Sequence, residues 1–103
     1  MSTERTCVIQ VDYIGVIHHV LKNTEEQYSV PLGSTVKDLL QRLVERHGEE
    51  LAGCILRSDG QLSPLVEVFL NNEDIGRLQG LNTPLTGEDQ VSILVGLFPM
   101  KGG

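Results

Sequence analysis

A single amphipathic helix constrains the fold of this sequence more than any other feature. Between Ser34 and Gly48 apolar residues recur at helical spacing, and together they form a stripe of Val36, Leu39, Leu40, Leu43 and Val44. Ser34 and Thr35 offer side-chain oxygens for an N-cap, and Asp38 lies in the first turn, where a carboxylate favours the helix dipole. Gly48 provides a stop. We therefore predict a helix over 35–47 with one buried face.

Four stretches of alternating polarity surround this helix. Such alternation is typical of strands with one buried face. The stretches cover 6–13, 27–30, 66–70 and 91–95. In the first of them the predicted buried side holds Cys7, Ile9, Val11 and Tyr13. Because a helix stripe and strand faces can bury one another, we predict an α+β domain: a mixed sheet with one main helix on one face and the other face open.

Three segments are less regular. Residues 16–21 have helical spacing over barely two turns, which leaves a short helix and a continuing strand both open. Residues 53–64 contain Ser58-Asp59-Gly60, and these turn formers predict an exposed loop. The adjacent acids Glu25 and Glu26 are predicted to be an ordinary solvated pair.

The composition fits one soluble domain and disfavours several kinds of partner. Of 103 residues, 40% are hydrophobic and 21% are charged, so we predict a single packed domain over 1–103. The formal net charge of -6 disfavours nucleic acid and suits either a basic protein surface or solubility alone. No apolar stretch approaches the roughly 20 residues of a membrane span. With no secretion signal evident either, we predict a cytoplasmic protein that does not enter a membrane.

Motifs for independent catalysis are absent from the sequence. It contains no glycine-rich phosphate loop, no Gly-x-Ser-x-Gly elbow and no Cys-x-x-Cys pair. His18, His19 and His47 lack partners at metal-ligand spacing, so we predict no metal site. Cys7 and Cys54 are too few to ligate a ferredoxin-type cluster, and no disulfide between them is implied.

The end of the sequence is unusual in a different way. The stretch Leu97-Phe98-Pro99-Met100-Lys101-Gly102-Gly103 follows the last predicted strand as a projecting tail. Glycine has no Cβ, so two glycines let a chain enter a narrow channel and bring its carboxylate close to another active site. A carboxylate becomes an acyl donor only after activation, for example by an ATP-dependent adenylating partner. From composition alone, a frayed terminus with small residues is the favoured explanation of the two glycines.

Several motifs in order carry a resemblance that covers nearly the whole chain. They are Gly33-Ser34-Thr35-Val36 with Asp38-Leu39-Leu40, then Phe69-Leu70-Asn71-Asn72-Glu73-Asp74-Ile75, then Leu85-Thr86-Gly87-Glu88-Asp89-Gln90-Val91-Ser92-Ile93, and the final Gly102-Gly103. With these motifs the sequence resembles the MoaD/ThiS family of ubiquitin-like sulfur carriers, especially the small subunit of molybdopterin synthase.

The resemblance implies a fold, a chemistry and a set of partners. The fold is a β-grasp, and a flexible tail over about 97–103 carries the function. An adenylating enzyme of the ubiquitin-activating type uses ATP to activate the Gly103 carboxylate, which becomes a thiocarboxylate, while Gly102 lets the tail thread into active sites. No cofactor is bound by the carrier itself. The sulfur acceptor is the molybdopterin synthase large subunit or another acceptor enzyme, so the chain is a cosubstrate or small subunit rather than a catalyst on its own.

Three other functions remain open from the sequence. A sulfur carrier for thiamine or another metabolite uses the same tail, although thiamine carriers are usually shorter than this chain. A ubiquitin-like modifier ends with Gly103 joined to a lysine of a target. A plain interaction domain has an inert tail.

A candidate partner surface follows from the strand alternation. Val8, Phe69 and Leu94 are predicted to lie on the sheet face opposite the helix, where a monomer exposes them to water. We predict that they form a partner patch with Phe98 at its edge, and that Pro99, Met100 and Lys101 join the contact. The alternative is that a loop or the N-terminus covers this face.

Overall fold

Five strands form one mixed sheet in the computed structural model, which describes residues 5–15, 17, 21 and 25–96. In chain order the strands are β1 (Thr6–Gly15), β2 (Glu25–Pro31), β3 (Val66–Leu70), β4 (Glu73–Asp74) and β5 (Gln90–Val95). Their order across the sheet is β2-β1-β5-β3-β4. β1 and β5 pair in parallel, and every other pairing is antiparallel. β5, the last strand among the described residues, therefore lies in the middle of the sheet.

The main helix, α1 (Val36–His47), begins and ends where its caps dictate. Thr35 and Asp38 form a capping box: the Asp38 amide donates to the Thr35 hydroxyl at 3.3 Å, and the Thr35 amide donates to the Asp38 carboxylate at 3.0 Å. Gly48 ends the helix with a φ of +69°, which is a left-handed value that glycine adopts without strain. The helix buries Val36, Leu39, Leu40 and Leu43 of the predicted stripe against one face of the sheet, and Val44 packs partly buried beside them. The two-layer α+β prediction is confirmed.

The structure corrects two parts of the predicted element order. Gly53, Cys54 and Ile55 were predicted to be loop but form the end of a second helix, α2 (Glu49–Ile55). This helix forms because Leu51 and Ile55, one turn apart, are both fully buried. The two-residue strand β4 and the 3-10 turns Ile75–Arg77 and Gly80–Asn82 were not predicted either.

The segment after β1 had been left open between helix and strand. Within it the structure describes Ile17 and Leu21, and both are helical. Ile17 is fully buried and Leu21 packs against the core. Both residues therefore add to the same hydrophobic layer as α1.

One acidic side chain of the predicted solvated pair is half-buried against the end of α1, contrary to that prediction. Glu26 accepts hydrogen bonds from the Tyr13 hydroxyl and from His47 Nε2, the latter at 2.7 Å, and Arg46 Nε lies 3.3 Å from its other oxygen. Burial alone raises the pKa of Glu26, but the hydrogen bonds from Tyr13 and His47 and the charges of His47 and Arg46 outweigh it. The net effect lowers the pKa of Glu26, while burial and the Glu26 contact raise the pKa of Tyr13.

We expect this cluster to make the fold sensitive to acid. Since the pKa of Glu26 is lower in the folded chain, its stabilisation is present above its ordinary value of 4.5 and is lost as the pH falls through the folded value. Glu26→Gln should reduce the free energy of unfolding at pH 7 by about 1 to 3 kcal/mol and flatten its decline in acid. Urea unfolding at a series of pH values from neutral to acidic measures both effects.

The neighbouring acid provides the matched control. Glu25 lies on the other face of β2 and contacts the Gln10 side chain at 2.8 Å, away from Tyr13 and His47. In Glu25→Gln the free energy of unfolding should fall with acid as it does in the wild type. If the free energies of unfolding of Glu26→Gln and of the wild type fall in parallel over the whole pH series, Glu26 does not provide the acid sensitivity.

Candidate functional site

The candidate site is built around the point where the chain leaves the sheet. β5 ends at Val95, which is fully buried, and Gly96 is exposed. We call residues 94–96 the tail root. The predicted tail residues Phe98, Pro99, Met100, Lys101, Gly102 and Gly103 lie outside the described residues. What the structure describes of the site is therefore the tail root and the surface beside it.

An apolar cluster lies beside the tail root on the open face of the sheet. The pairing places Leu94 of β5 between Ile14 of β1 and Glu67 of β3. Phe69 of β3 is opposite Ser92, which makes it a diagonal neighbour of Leu94, roughly 7 Å away from backbone to backbone. Phe69 and Leu94 are half-buried, and Ile14 is 46% exposed. We call Ile14, Phe69 and Leu94 the tail-side patch.

Val8 lies on the same face but not in this patch. It is 44% exposed and pairs with Ser29 at the start of β1. Val8 precedes Ile14 by six residues, so the two lie about 20 Å apart along the strand. Gln10 and Asp12 separate them. The three residues predicted to form one patch are thus divided between two ends of the open face.

Ile14 is the patch residue that the sequence interpretation missed. The predicted strand ended at Tyr13, whereas β1 continues to Gly15 and pairs there with β5. The alternation of Val8, Gln10, Asp12 and Ile14 is strict, and extending the strand by one step would have found Ile14.

Polar side chains fill the middle of the open face. Gln10 donates to Glu25 at 2.8 Å, and Gln90 donates to Asp12, so these contacts join β2, β1 and β5. Asp12 and Glu67 are the acidic residues nearest to the patch in register. The surroundings of the patch are therefore acidic, which complements a basic rim on a partner.

The thiols do not form a second reactive centre. Cys7 is buried and Cys54 is half-buried in α2, and both are free. Burial, and then the charge of Glu50, raise the pKa of Cys54, which disfavours its thiolate. Among the described residues no group of three or more His, Cys, Asp and Glu side chains is placed to hold a metal ion. His18 and His19 lie outside the described residues.

Comparison with known proteins places the chain in a family. The family model described as ThiS family matches residues 11–103. The chain belongs to the ThiS family. It is also similar to a protein of Archaeoglobus fulgidus assigned as a sulfur carrier, with 37% identity over 60 residues, which are 58% of this chain and 67% of that protein. The proposed resemblance to the MoaD/ThiS sulfur carriers is confirmed.

Two solved structures confirm the fold of this ThiS family member. Small archaeal modifier protein 1 of Haloferax volcanii has a TM-score of 0.78 and 20% identity, covering 88% of this chain and 99% of that one. A Pyrococcus furiosus protein assigned as molybdopterin converting factor subunit 1 has a TM-score of 0.69 and 19% identity, also covering 88% and 99%. At these identities the likeness shows the fold, which is the predicted ubiquitin-like β-grasp. The part of the chain that the structure describes contains no helix long and apolar enough to cross a membrane.

Two of the motifs that carried the resemblance meet in the ThiS family fold. Asn71, in the turn after β3, donates to the Asp89 carboxylate at 3.0 Å and accepts from the Gln90 amide at 2.9 Å. Asp89 also accepts from the Thr86 amide at 2.8 Å. Asn71 and Asn72 have φ values of +52° and +73°, in the left-handed region that asparagine tolerates. These motifs therefore hold the start of β5 in place rather than supply chemistry.

We expect Asn71→Ala to reduce the free energy of unfolding by about 1 to 3 kcal/mol, because it removes two hydrogen bonds and leaves alanine in a left-handed conformation. Asn72→Ala is the matched control, because it also leaves alanine in a left-handed conformation but removes no hydrogen bond among those the structure describes. Asn72→Ala should reduce the free energy of unfolding clearly less than Asn71→Ala does. Equal losses for the two variants in urea unfolding would show that the contacts to Asp89 and Gln90 contribute nothing.

Proposed function

We propose that this protein is a sulfur carrier that bears a thiocarboxylate on Gly103. The observation that supports this most is the extent of the ThiS family match, which runs through the end of the tail at residue 103. The position of the tail-side patch supports it further, because an apolar surface beside the tail root can hold a partner enzyme while the tail enters its active site.

The chemistry requires two steps. In the first, an oxygen of the Gly103 carboxylate attacks the α-phosphorus of ATP in an adenylating enzyme, and pyrophosphate leaves. In the second, hydrosulfide attacks the acyl carbon, and the bond to the phosphate oxygen breaks so that AMP departs with that electron pair. With hydrosulfide, the product is a thiocarboxylate in which one oxygen has been replaced by sulfur. ATP belongs to the partner enzyme, and the carrier holds no cofactor.

The residues of this chain have binding roles in that scheme. Ile14, Phe69 and Leu94 contact the adenylating enzyme and later the acceptor enzyme, and Phe98, Pro99, Met100 and Lys101 extend the contact along the tail. Gly102 and Gly103 let the chain end pass through a narrow channel because neither has a Cβ. The acidic groups around the patch match a partner with basic residues at its rim.

For the acceptor we propose the large subunit of a molybdopterin synthase, with this chain as the sulfur-donating small subunit. The motifs that resemble that subunit, and a chain longer than the usual thiamine carrier, support this choice. An ATP-dependent activation also supports a cytoplasmic location.

Intact mass measurement tests the carrier function. The protein is incubated with ATP, sulfide and the adenylating enzyme of the same organism. We expect a mass gain that corresponds to exchange of one oxygen for one sulfur, dependent on ATP. The proposal fails if no such species forms, and conjugates on lysines of other proteins would instead identify a modifier.

The acceptor is tested with the product of that reaction. Thiocarboxylated protein is mixed with a molybdopterin synthase large subunit and its pterin substrate, and molybdopterin formation is measured. Sulfur transfer only in a thiamine-forming reaction would replace the molybdopterin assignment without changing the carrier function.

A further inference from the structure

Gly15 has a closer backbone neighbour than any other glycine that the structure describes. It is the last residue of β1, pairs with Val95 at the end of β5, and has a φ of +88°. A Cβ at Gly15 would lie 2.2 Å from the Val95 carbonyl oxygen and 3.2 Å from the Val95 carbonyl carbon. Since both atoms belong to the backbone, no rotamer change relieves the overlap, and the two strand ends would have to separate.

Other glycines in left-handed conformations do not have this contact. Gly33, Gly48, Gly60, Gly80 and Gly87 also have positive φ values, yet a Cβ at any of them would meet no atom within 4 Å. Those positions favour glycine for its backbone freedom alone. Gly15 requires glycine for a second reason, because its Cα lies too close to the Val95 carbonyl group for a Cβ to fit. Val95 belongs to the tail root.

The same position lies under the tail-side patch. The nearest side-chain atom to a Cβ at Gly15 would be Cδ1 of Leu94, at 3.4 Å. Val95 is fully buried, and the chain continues from it into Gly96 and the tail. Gly15 is therefore packed against the two residues that connect the patch to the tail.

We propose that Gly15 is a positioning residue that sets the direction of the tail relative to the tail-side patch. The inference rests on the proposed function and deepens it. A partner holds the carrier by the patch, and residues 97–103 span at most about 25 Å when fully extended. With so short a connection, a change in direction at Val95 displaces the Gly103 carboxylate in the partner's active site. Misplacement of a reacting group by about 1 Å costs roughly 100-fold in rate.

Steady-state kinetics of thiocarboxylate formation test this, with ATP, sulfide and the adenylating enzyme that modifies the wild-type chain. We expect Gly15→Ala to lower kcat by about 10- to 100-fold while KM changes less than about twofold, because the patch still binds. Gly33→Ala is the matched control, since its φ of +96° imposes the same strain without the overlap. It should keep the wild-type kcat.

A second variant does not depend on whether Gly15→Ala folds. Two glycines inserted between Gly96 and Leu97 leave β1 and β5 unchanged but loosen the connection between patch and Gly103. We expect kcat to fall by about tenfold at unchanged KM. A wild-type kcat for the insertion variant overturns the inference. So does a fall in kcat for Gly33→Ala as large as that for Gly15→Ala, and so does a Gly15→Ala variant in which only KM rises. A wild-type chain that acquires no thiocarboxylate overturns the proposed function instead, and the inference with it.

Discussion

Deletion of Gly103 is expected to slow thiocarboxylate formation by at least about 100-fold. The shortened chain still ends in a carboxylate on glycine, but that carboxylate lies one residue, or about 3.5 Å, short of the activating site. The loss should appear in intact mass as the absence of the oxygen-to-sulfur exchange under conditions in which the wild type reacts completely. Urea unfolding should be unchanged, because the deletion lies beyond the last residue of β5.

The mass spectrum also distinguishes the outcome that would contradict this prediction. If the deleted chain gains sulfur as fast as the wild type, the sulfur is not on Gly103. A gain of one whole sulfur atom, rather than an exchange, would indicate a persulfide, formed when a thiolate takes a sulfane sulfur from polysulfide present in the sulfide solution and a shorter (poly)sulfide leaves. The half-buried thiol of Cys54 is the more accessible candidate of the two described cysteines. Cys54→Ser would then remove the gain.

Phe69→Asp is expected to weaken binding to the adenylating enzyme by at least about 30-fold, which corresponds to the roughly 2 kcal/mol or more of an interface hot spot. The substitution places a charge beside Leu94, at the β3 side of the tail-side patch. Because Phe69 is only half-buried and lies on the open face, the fold should tolerate the change. Isothermal titration measures the affinity, and a cooperative urea transition confirms that the variant is folded.

Two further variants define the limits of the contact surface. Leu32→Asp is the matched control, because Leu32 is 50% exposed in the turn after β2, away from the patch, and its replacement should leave the affinity unchanged. Val8→Asp should weaken binding less than Phe69→Asp, since Val8 lies at the other end of the open face. Losses of the same size for Val8 and Phe69 would extend the interface over the whole sheet. Wild-type affinity for Phe69→Asp would exclude the patch as the docking surface.

Local patterns were sufficient to predict the layers of this fold. The stripe and caps of α1 and the alternation of β1, β2, β3 and β5 depend on neighbouring residues. The structure has all of these elements at the predicted places, although β1 continues to Gly15 and β2 begins at Glu25. α2 could not be predicted in the same way, because it is only seven residues long, contains Gly53, and is stabilised by burial of Leu51 and Ile55 against distant parts of the chain.

The site depends more strongly on contacts between distant residues. The alternation in β1 indicates the face on which Ile14 lies, but the parallel pairing that brings Ile14 beside Leu94 joins distant residues and is not indicated by local periodicity. Glu26 is half-buried because Tyr13 and His47 converge on it from β1 and α1. In contrast, the role of Gly103 came from the family resemblance, since two terminal glycines alone indicate little.

The central position of β5 links folding of this protein to its synthesis. β5 is made after the other four described strands, and it separates β1 from β3 in the sheet. A nascent chain that ends before residue 90 lacks the shared neighbour of both strands and cannot close its hydrophobic layer, because long-range pairing has to wait for the distant partner. We therefore expect prematurely terminated chains to stay unfolded and open to proteolysis. Enzymes that recognise the folded sheet encounter only chains that have been made at least as far as the start of the tail.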